Sequence, residues 1–196
     1  MKYFPFVLLL IFMGCKNEPK AEAKPEPEPV AETQPKTESQ VDLSVLKMWE
    51  AYISAHPEFK DNDIPEADFF HNNREDANRL AQLTLEGKKQ ASSGLYGLYQ
   101  QYGVALPTVG TQQIVTDFDG KAKAIIENTK VDTIPFHQVS EAYATLDMGT
   151  NIEPLKKWRK AHWDFFESYL KESGSQPTDE MLVVCVRFKT IWPKLD

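Results

Sequence analysis

The sequence contains little cysteine, and this scarcity limits how the fold can be held together. Only Cys15 and Cys185 carry a thiol among its 196 residues. Cys15 follows an apolar N-terminal stretch, whereas Cys185 lies inside the apolar run 182–186. Because a disulfide framework needs several cysteines, the fold must instead rest on a hydrophobic core. Within that core, Cys185 is expected to act as a small buried apolar residue.

Long hydrophobic runs are also missing. The longest, residues 3–13, has eleven residues and contains Pro5. A helix needs about 20 apolar residues to span a bilayer. A shorter run behind a basic residue such as Lys2 is typical of a secretory signal. We therefore predict that residues 1–14 are a signal peptide.

The residue that follows this predicted signal is Cys15, and Gly14 precedes it. A small residue directly before a cysteine resembles a bacterial lipoprotein signal, in which cleavage precedes the cysteine and its thiol receives lipid. We predict that Cys15 is lipidated and holds the exported protein at a membrane of the bacterial cell envelope, since two or more acyl chains anchor stably. Phe12 and Met13 are larger than usual for such a signal, which leaves an ordinary cleaved signal or an uncleaved apolar anchor as the alternative.

An excess of basic residues is absent as well. The sequence has 22 Lys and Arg against 29 Asp and Glu, for a net charge of −7. Because domains that follow a phosphate backbone usually carry a basic excess, we do not expect nucleic acid as a partner. No zinc-ligand spacing, Walker loop, dinucleotide fingerprint or Gly-x-Ser-x-Gly motif occurs. We predict neither a metal nor a cofactor, and no feature indicates a protein partner.

Proline is concentrated near the N-terminus. Residues 15–40 hold five prolines among Glu, Lys, Ala, Thr and Gln. Such a segment buries too little apolar surface to offset its chain entropy, so we predict a disordered tether. Order should begin near residue 41. The predicted domain therefore covers residues 41–196, with a helical extension over 41–64.

The rest of the chain alternates between helical and strand-like patterns. Capping residues and apolar spacing predict helices that begin near residues 42, 73, 95, 140 and 154, with Gly87 ending the second. The pair Asp119-Gly120 predicts a hairpin between strands over 112–118 and 122–129. Further strands are predicted over 131–136 and 182–192. This mixture indicates an α+β fold, with a small closed barrel and outer helices as one arrangement.

The segment Gly87-Lys-Lys-Gln-Ala-Ser-Ser-Gly94 resembles the Gly-x-Lys-x-x-Thr/Glu-x-Arg signature of ASCH domains. Seven segments follow, in order, the pattern of the YhfF-like bacterial branch of that family, and together they cover residues 65–193. The resemblance implies a PUA-like fold, which is a small β-barrel with flanking helices. The seven segments are Ala67-Asp-Phe-Phe70, Gly87-Lys-Lys89, Leu106-Pro107 with Val109-Gly110, Ile125-Ile-Glu-Asn-Thr129, Ile134-Pro-Phe136, Trp158-Arg-x-x-His-Trp-x-Phe-Phe166 and Val183-Val-Cys-x-Arg-Phe188.

The resemblance also implies a cleft that accepts nucleotide-like or RNA-like ligands. Some relatives are similar to small amidohydrolases that cleave N4-acetylcytidine with a Lys, a Thr and an acidic residue, and others act as ribonucleases. By position in the motif, the lysine is Lys89 and the hydroxyl is Ser92. A lysine in a desolvated site can serve as base or nucleophile, and a neighbouring hydroxyl and carboxylate can move protons. Glu127 or Asp147 would supply the carboxylate.

Two departures from the family pattern favour binding over catalysis. Gly94 stands where the signature has Arg, and Asp147 alone remains of an acidic stretch before the long helix. We therefore expect a binding module for a nucleoside-like or other small polar ligand, contacted also by Lys88 and Ser93. An amidohydrolase that uses Lys89 and Ser92 is the alternative, and RNA binding or cleavage ranks last.

Each of these residues also has a purely structural interpretation. Two lysines after a helix C-terminus are often a solvated pair that the helix dipole favours. Ser92 and Ser93 could be turn residues, and Glu127 could simply face solvent. His162, on the apolar stripe of the long helix, is expected to be a packed and hydrogen-bonded core residue rather than a catalyst.

Overall fold

A computed structural model describes residues 41–194 as a mixed fold of one five-stranded sheet and five α-helices. The predicted signal peptide, the lipidation of Cys15 and the tether lie outside these residues. None of the helices described is both long enough and apolar enough to cross a membrane. The elements are α1 Leu43–Ala55, β1 Ala67–Asp68, α2 Arg74–Leu85, β2 Ala91–Leu95, α3 Tyr96–Tyr102, β3 Gln112–Thr116, β4 Ala122–Pro135, α4 Glu141–Met148, α5 Pro154–Leu170 and β5 Leu182–Trp192.

The sheet is built around the long antiparallel pair β4–β5, in the order β1-β3-β4-β5-β2. The predicted hairpin at Asp119-Gly120 joins β3 to β4, and Gly120 has the positive φ of 80° that its turn requires. The two strands predicted over 122–129 and 131–136 form the single strand β4. Irregular pairing near Ile125 and Asn128 allows this strand to bend while it stays paired with β5. The predicted PUA-like α+β fold is confirmed.

The predicted helix boundaries are confirmed where a capping residue marks them. The Asn73 side chain accepts a hydrogen bond from the backbone N–H of Asp76 at 2.9 Å and begins α2, and Ser140 caps α4 in the same way. Gly87, with a φ of 67°, follows the last turn of α2. These boundaries determine where the chain leaves α2 and enters β2, which is the segment that carries the predicted site.

Three hydrophobic clusters hold the helices to the sheet, and the smallest of them lies under α2. The largest one lies between β2, β5, α4 and α5 and is centred on the fully buried Trp158. Cys185 belongs to it, as predicted, and burial raises the pKa of its thiol to about 12. The second cluster joins Trp49 and Tyr52 of α1 to Ile125 and its neighbours in the sheet. The extension over 41–64 therefore covers part of the sheet.

Two strands are missing from the sequence-based prediction, the two-residue strand β1 and the longer strand β2. Residues 91–95 form the edge strand β2, which pairs antiparallel with β5. Its sequence, Ala-Ser-Ser-Gly-Leu, is short and polar, so β-propensity does not identify it. The alternative of turn residues for Ser92 and Ser93 is therefore wrong.

Candidate functional site

A cleft of about 110 Å³ lies where β2 meets α2, α4 and α5. Four of the predicted site residues line it: Lys89, Ser92, Ser93 and Asp147. They come from two separate parts of the chain. The first three follow the end of α2, and Asp147 lies in the last turn of α4. The packing of α4 against β2 brings them together.

Lys89 and Asp147 form a buried ion pair at the base of this cleft. Lys89 Nζ lies 2.5 Å from Asp147 Oδ1, and both side chains are less than 5% exposed. The same ammonium donates to the carbonyl oxygens of Ala91 at 2.6 Å and Asp147 at 2.9 Å. It also lies 4.9 Å from the centre of the Phe70 ring. A lysine ammonium has three donors, so all of them are used inside the protein.

The second carboxylate oxygen of Asp147 is equally occupied. Asp147 Oδ2 accepts hydrogen bonds from Ser93 Oγ at 2.6 Å and from Trp158 Nε1 at 2.9 Å. Burial by itself would raise the pKa of this carboxyl. The charge on Lys89 and the hydrogen bonds from Lys89 and Ser93 outweigh that penalty and hold the pKa below its usual range. Asp147 is therefore an ionised carboxylate that receives three donors, one each from Lys89, Ser93 of β2 and Trp158 of α5.

The two neighbouring serines have different roles in this arrangement. Successive side chains of a strand point to opposite faces, so Ser93 faces the Asp147 carboxylate together with Ala91, and Ser92 does not. Ser92 contributes its backbone carbonyl, which accepts from the Tyr143 hydroxyl at 2.6 Å. Ser92 lines the cleft, and its hydroxyl makes no hydrogen bond with the chain between residues 41 and 194. A ligand that reached this hydroxyl would therefore displace no hydrogen bond within those residues.

Lys88 and Glu127 do not join this group. Lys88 is exposed and pairs with Glu86 at 2.7 Å, as expected for a solvated lysine after a helix end. Glu127, on β4, pairs with Lys189 of β5 at 2.8 Å. Neither residue lines the cleft. Of the two carboxylates proposed from the sequence, the structure therefore brings only Asp147 to Lys89.

Two residues of α5 belong to the site although the sequence suggested only a core role for them. Trp158 donates to Asp147, and His162 stacks on the Trp158 ring with 4.4 Å between ring centres. His162 also lines the cleft, with its Nε2 3.4 Å from Asp147 Oδ2. The expected packing and hydrogen bonding of His162 are present. A histidine on an otherwise apolar helix face was the one signal available in the sequence.

The entrance of the cleft is formed by the segment before α2 and by the first turns of that helix. Asp76 and Arg79 pair there at 2.6 Å, and both line the cleft. His71 packs against Phe165 with 4.9 Å between ring centres. Its backbone has a φ of 70°, which is unusual for a residue other than glycine. Such strain often occurs at functional sites, where packing holds the residue in place.

The side chain of Tyr99 gives a steric reason why position 94 holds glycine where the family signature has arginine. A Cβ atom added at this position would lie 2.8 Å from the hydroxyl oxygen of Tyr99. Tyr99, on α3, therefore occupies the space into which a side chain at position 94 would extend. Burial raises the pKa of its hydroxyl, which stays protonated at neutral pH.

The arrangement offers hydrogen bonds and aromatic surface but no metal site. No group of three or more potential metal-ligating side chains occurs within residues 41–194. The side chains around the cleft instead combine a buried ion pair, hydroxyl and imidazole groups, and the rings of Phe70 and Phe165. These groups can donate and accept hydrogen bonds and can pack against another ring.

Comparisons with known proteins agree with this fold. A family model described as the ASCH domain matches residues 66–192. A crystal structure of an ASCH domain from Lactobacillus crispatus JV V101 is similar over 78% of this chain and 96% of its own, with 32% identity and a TM-score of 0.69. A protein from Enterococcus faecalis V583 is similar over 76% of this chain and 88% of its own, with 30% identity and a TM-score of 0.68. A comparison with curated proteins finds no match.

Proposed function

The chain belongs to the ASCH domain family, and from that premise we propose that its cleft binds a small, uncharged, nucleoside-like ligand without chemically changing it. The hydrogen bonds of Lys89 are the observation that carries this proposal. All three ammonium donors go to protein oxygens within 2.9 Å. Three acceptors around one nitrogen require three protons, which leaves no lone pair for nucleophilic attack or for general-base catalysis. Lys89 therefore shapes the cleft rather than reacting in it.

The charges around the cleft favour an uncharged ligand. Both cationic side chains that line it already have a carboxylate partner: Lys89 pairs with Asp147 at 2.5 Å, and Arg79 pairs with Asp76 at 2.6 Å. A phosphate would have to compete with these carboxylates for its cation, and it would also meet the negative charge that they carry. The net charge of −7 for the whole chain acts in the same direction. Nucleosides and free bases are thus expected to bind better than nucleotides or RNA.

The size and walls of the cleft favour a flat ring. At about 110 Å³ it is smaller than the roughly 300–1,000 Å³ that ligand pockets usually have. It can enclose one planar ring, with a sugar or another substituent outside. Phe70 and Phe165 offer aromatic surface for stacking, and the Ser92 hydroxyl offers a donor and an acceptor.

An amidohydrolase that acts on an amide-bearing small molecule is the second candidate, and the Ser92 hydroxyl is the observation that favours it. This hydroxyl is not held by any hydrogen bond within residues 41–194, and Ser92 lines the same cleft as Lys89 and Asp147. To act as a nucleophile it must give its proton to a base, and Lys89 can be that base only after it loses one proton together with one of its present hydrogen bonds. RNA binding or ribonuclease activity ranks last because of the charges described above.

Calorimetric titration of the full chain tests the proposal. The ligands are four unmodified nucleosides, their 5′-monophosphates and N4-acetylcytidine, and acetate release from the last compound is followed in parallel. We expect at least one nucleoside to bind about tenfold or more tightly than its monophosphate, without turnover. Ser92→Ala should weaken binding, whereas Ser54→Ala, which removes an exposed hydroxyl from α1, should not. Acetate release that disappears in Ser92→Ala would establish the hydrolase instead, and the absence of any binding would refute both.

We also propose that this is a lipoprotein of the YhfF-like branch, anchored in the bacterial cell envelope through Cys15. The short apolar run before Gly14-Cys15 supports the anchor, and the seven matching segments support the branch. Labelled palmitate should be incorporated by the full chain and by Cys185→Ala, because the second cysteine is buried in the core. Incorporation should be lost in Cys15→Ala. Label that persists in this variant would rule out lipidation at Cys15.

A further inference from the structure

His162 lines the cleft, and its two ring nitrogens lie in different surroundings. Its Nδ1 is 3.0 Å from the backbone carbonyl oxygen of Trp158, one turn earlier in α5. Its Nε2 is 3.4 Å from Asp147 Oδ2. The ring is held in this position because it stacks on Trp158 at 4.4 Å and packs edge-on against Phe166 at 5.7 Å between ring centres.

These contacts determine which nitrogen carries the proton. The carbonyl oxygen of Trp158 can only accept, so Nδ1 must donate to it. Asp147 Oδ2 already receives hydrogen bonds from Ser93 and Trp158 and does not require a third donor. Burial lowers the pKa of His162, although the charge on Asp147 acts in the opposite direction. The neutral ring thus carries its proton on Nδ1 and leaves Nε2 as a lone-pair acceptor.

The part of the cleft lined by His162 and Asp147 is consequently rich in acceptors. Nε2 and the carboxylate oxygen of Asp147 lie side by side, and each repels the lone pairs of another acceptor. A ligand carbonyl directed at this point would meet His162 Nε2 without a proton between them. An N–H group in the same place would satisfy the imidazole nitrogen and reduce its repulsion with the carboxylate.

We propose that His162 Nε2 accepts a hydrogen bond from an amino group on the ligand ring, so that the cleft selects amino-bearing rings over rings with a carbonyl group at the same position. This inference rests on the proposed function, since it requires that a flat polar ligand enters the cleft. It makes His162 a specificity-determining residue and assigns it no catalytic step.

Matched ligand pairs and matched variants test the selection. The full chain is titrated with cytidine against uridine and with adenosine against inosine, two pairs that differ by an amino and a carbonyl group. In the unmodified protein we expect the amino member of at least one pair to bind about tenfold more tightly. His162→Phe keeps a ring on Trp158 but removes both nitrogens, and it should abolish the preference. His56→Phe is the control, because His56 also packs against an aromatic ring, that of Tyr52 with 4.7 Å between ring centres, and does not line the cleft.

The outcomes separate this inference from the proposed function. Binding with equal affinity within both pairs, or a preference that survives His162→Phe, would overturn the role of His162 and leave ligand binding intact. Binding of no member would refute the proposed function and the inference together. Nitrogen-15 NMR of the imidazoles gives a second measurement that requires no variant. Nε2 of His162 should be unprotonated at pH 7.5 and should shift with an amino-bearing ligand, and a protonated Nε2 would contradict the proposal.

Discussion

Lys89 and Asp147 lie 58 positions apart in the chain, yet their side chains meet at 2.5 Å in a site that excludes solvent. The pair joins the segment after α2 to the last turn of α4. Every donor of the ammonium and both oxygens of the carboxylate have partners inside the domain. Because all of these groups are already hydrogen-bonded, the pair stabilises the walls of the cleft. Contacts with a ligand are left to the residues around the pair.

Removal of Lys89 should be costly for stability. Lys89→Ala leaves the buried Asp147 carboxylate without its counter-charge, and breaking such a pair typically costs about 3–5 kcal/mol of unfolding free energy. Lys88→Ala removes the adjacent lysine, which is exposed and bonded to Glu86, and its effect should stay within experimental error. Urea unfolding of both variants measures the difference. Similar midpoints for the two would show that the buried pair contributes little.

The two serines should separate stability from ligand binding. Ser93→Ala removes a donor from Asp147 Oδ2 and should lower the free energy of unfolding by about 1–3 kcal/mol. Ser92→Ala removes a hydroxyl that has no hydrogen bond within residues 41–194, so stability should hardly change while ligand affinity falls. Thermal unfolding with and without a bound nucleoside tests both. If Ser92→Ala lowered stability and Ser93→Ala lowered only ligand affinity, the roles of the two hydroxyls would be the opposite of those proposed.

A side chain at position 94 should conflict with Tyr99. In Gly94→Ser the new Cβ would lie 2.8 Å from the Tyr99 hydroxyl oxygen, so the tyrosine must move, at a cost of about 1–3 kcal/mol. In a Tyr99→Ala background the same substitution should cost almost nothing. Gly97→Ser is the control, because a Cβ there has no atom within 4 Å. The denaturant midpoints of the unmodified protein, Gly94→Ser, Tyr99→Ala and the double variant give the coupling energy between positions 94 and 99. Additive effects of the two substitutions would contradict the steric explanation.

Stability should fall below neutral pH because of His162. Burial lowers its pKa in the folded state below the ordinary value of 6.5, so the unfolded chain binds more protons. The stabilisation that comes from burying His162 in its neutral form is complete above pH 6.5. It is lost as the pH falls from there towards the lower pKa of the folded state. The charged or titratable groups that act on the ring are Asp147, which opposes the shift, and Lys89 and His71, which add to it.

Urea midpoints between pH 8 and pH 5 measure this dependence. The slope should be smaller in His162→Phe than in the unmodified protein, and the other titratable groups are common to both proteins. Equal slopes in the two proteins would mean that His162 keeps its ordinary affinity for protons after folding.

Much of the fold could be predicted because its signals are local. The turn at Asp119-Gly120 needs a positive φ, which glycine adopts without strain, and this requirement marks the hairpin in any context. Ser140 begins α4 and Gly87 follows α2 for similar local reasons. The strand β2 was not predictable in this way. Its small polar residues form a strand only because β5 offers a partner, and β5 is about 90 residues away.

The candidate site likewise combines features that local sequence signals predict with features that depend on contacts between distant parts of the chain. The signature segment placed Lys89 and two serines in one short stretch, and the sequence by itself determined that they would be neighbours. Only the tertiary structure decided that Asp147 rather than Glu127 completes the pair, that Ser93 rather than Ser92 binds the carboxylate, and that His162 faces the cleft. These outcomes depend on the register of β2 and on how α4 and α5 pack against it. A shift of one residue in a strand reverses which side chains face the core, and no local pattern in the sequence specifies that choice.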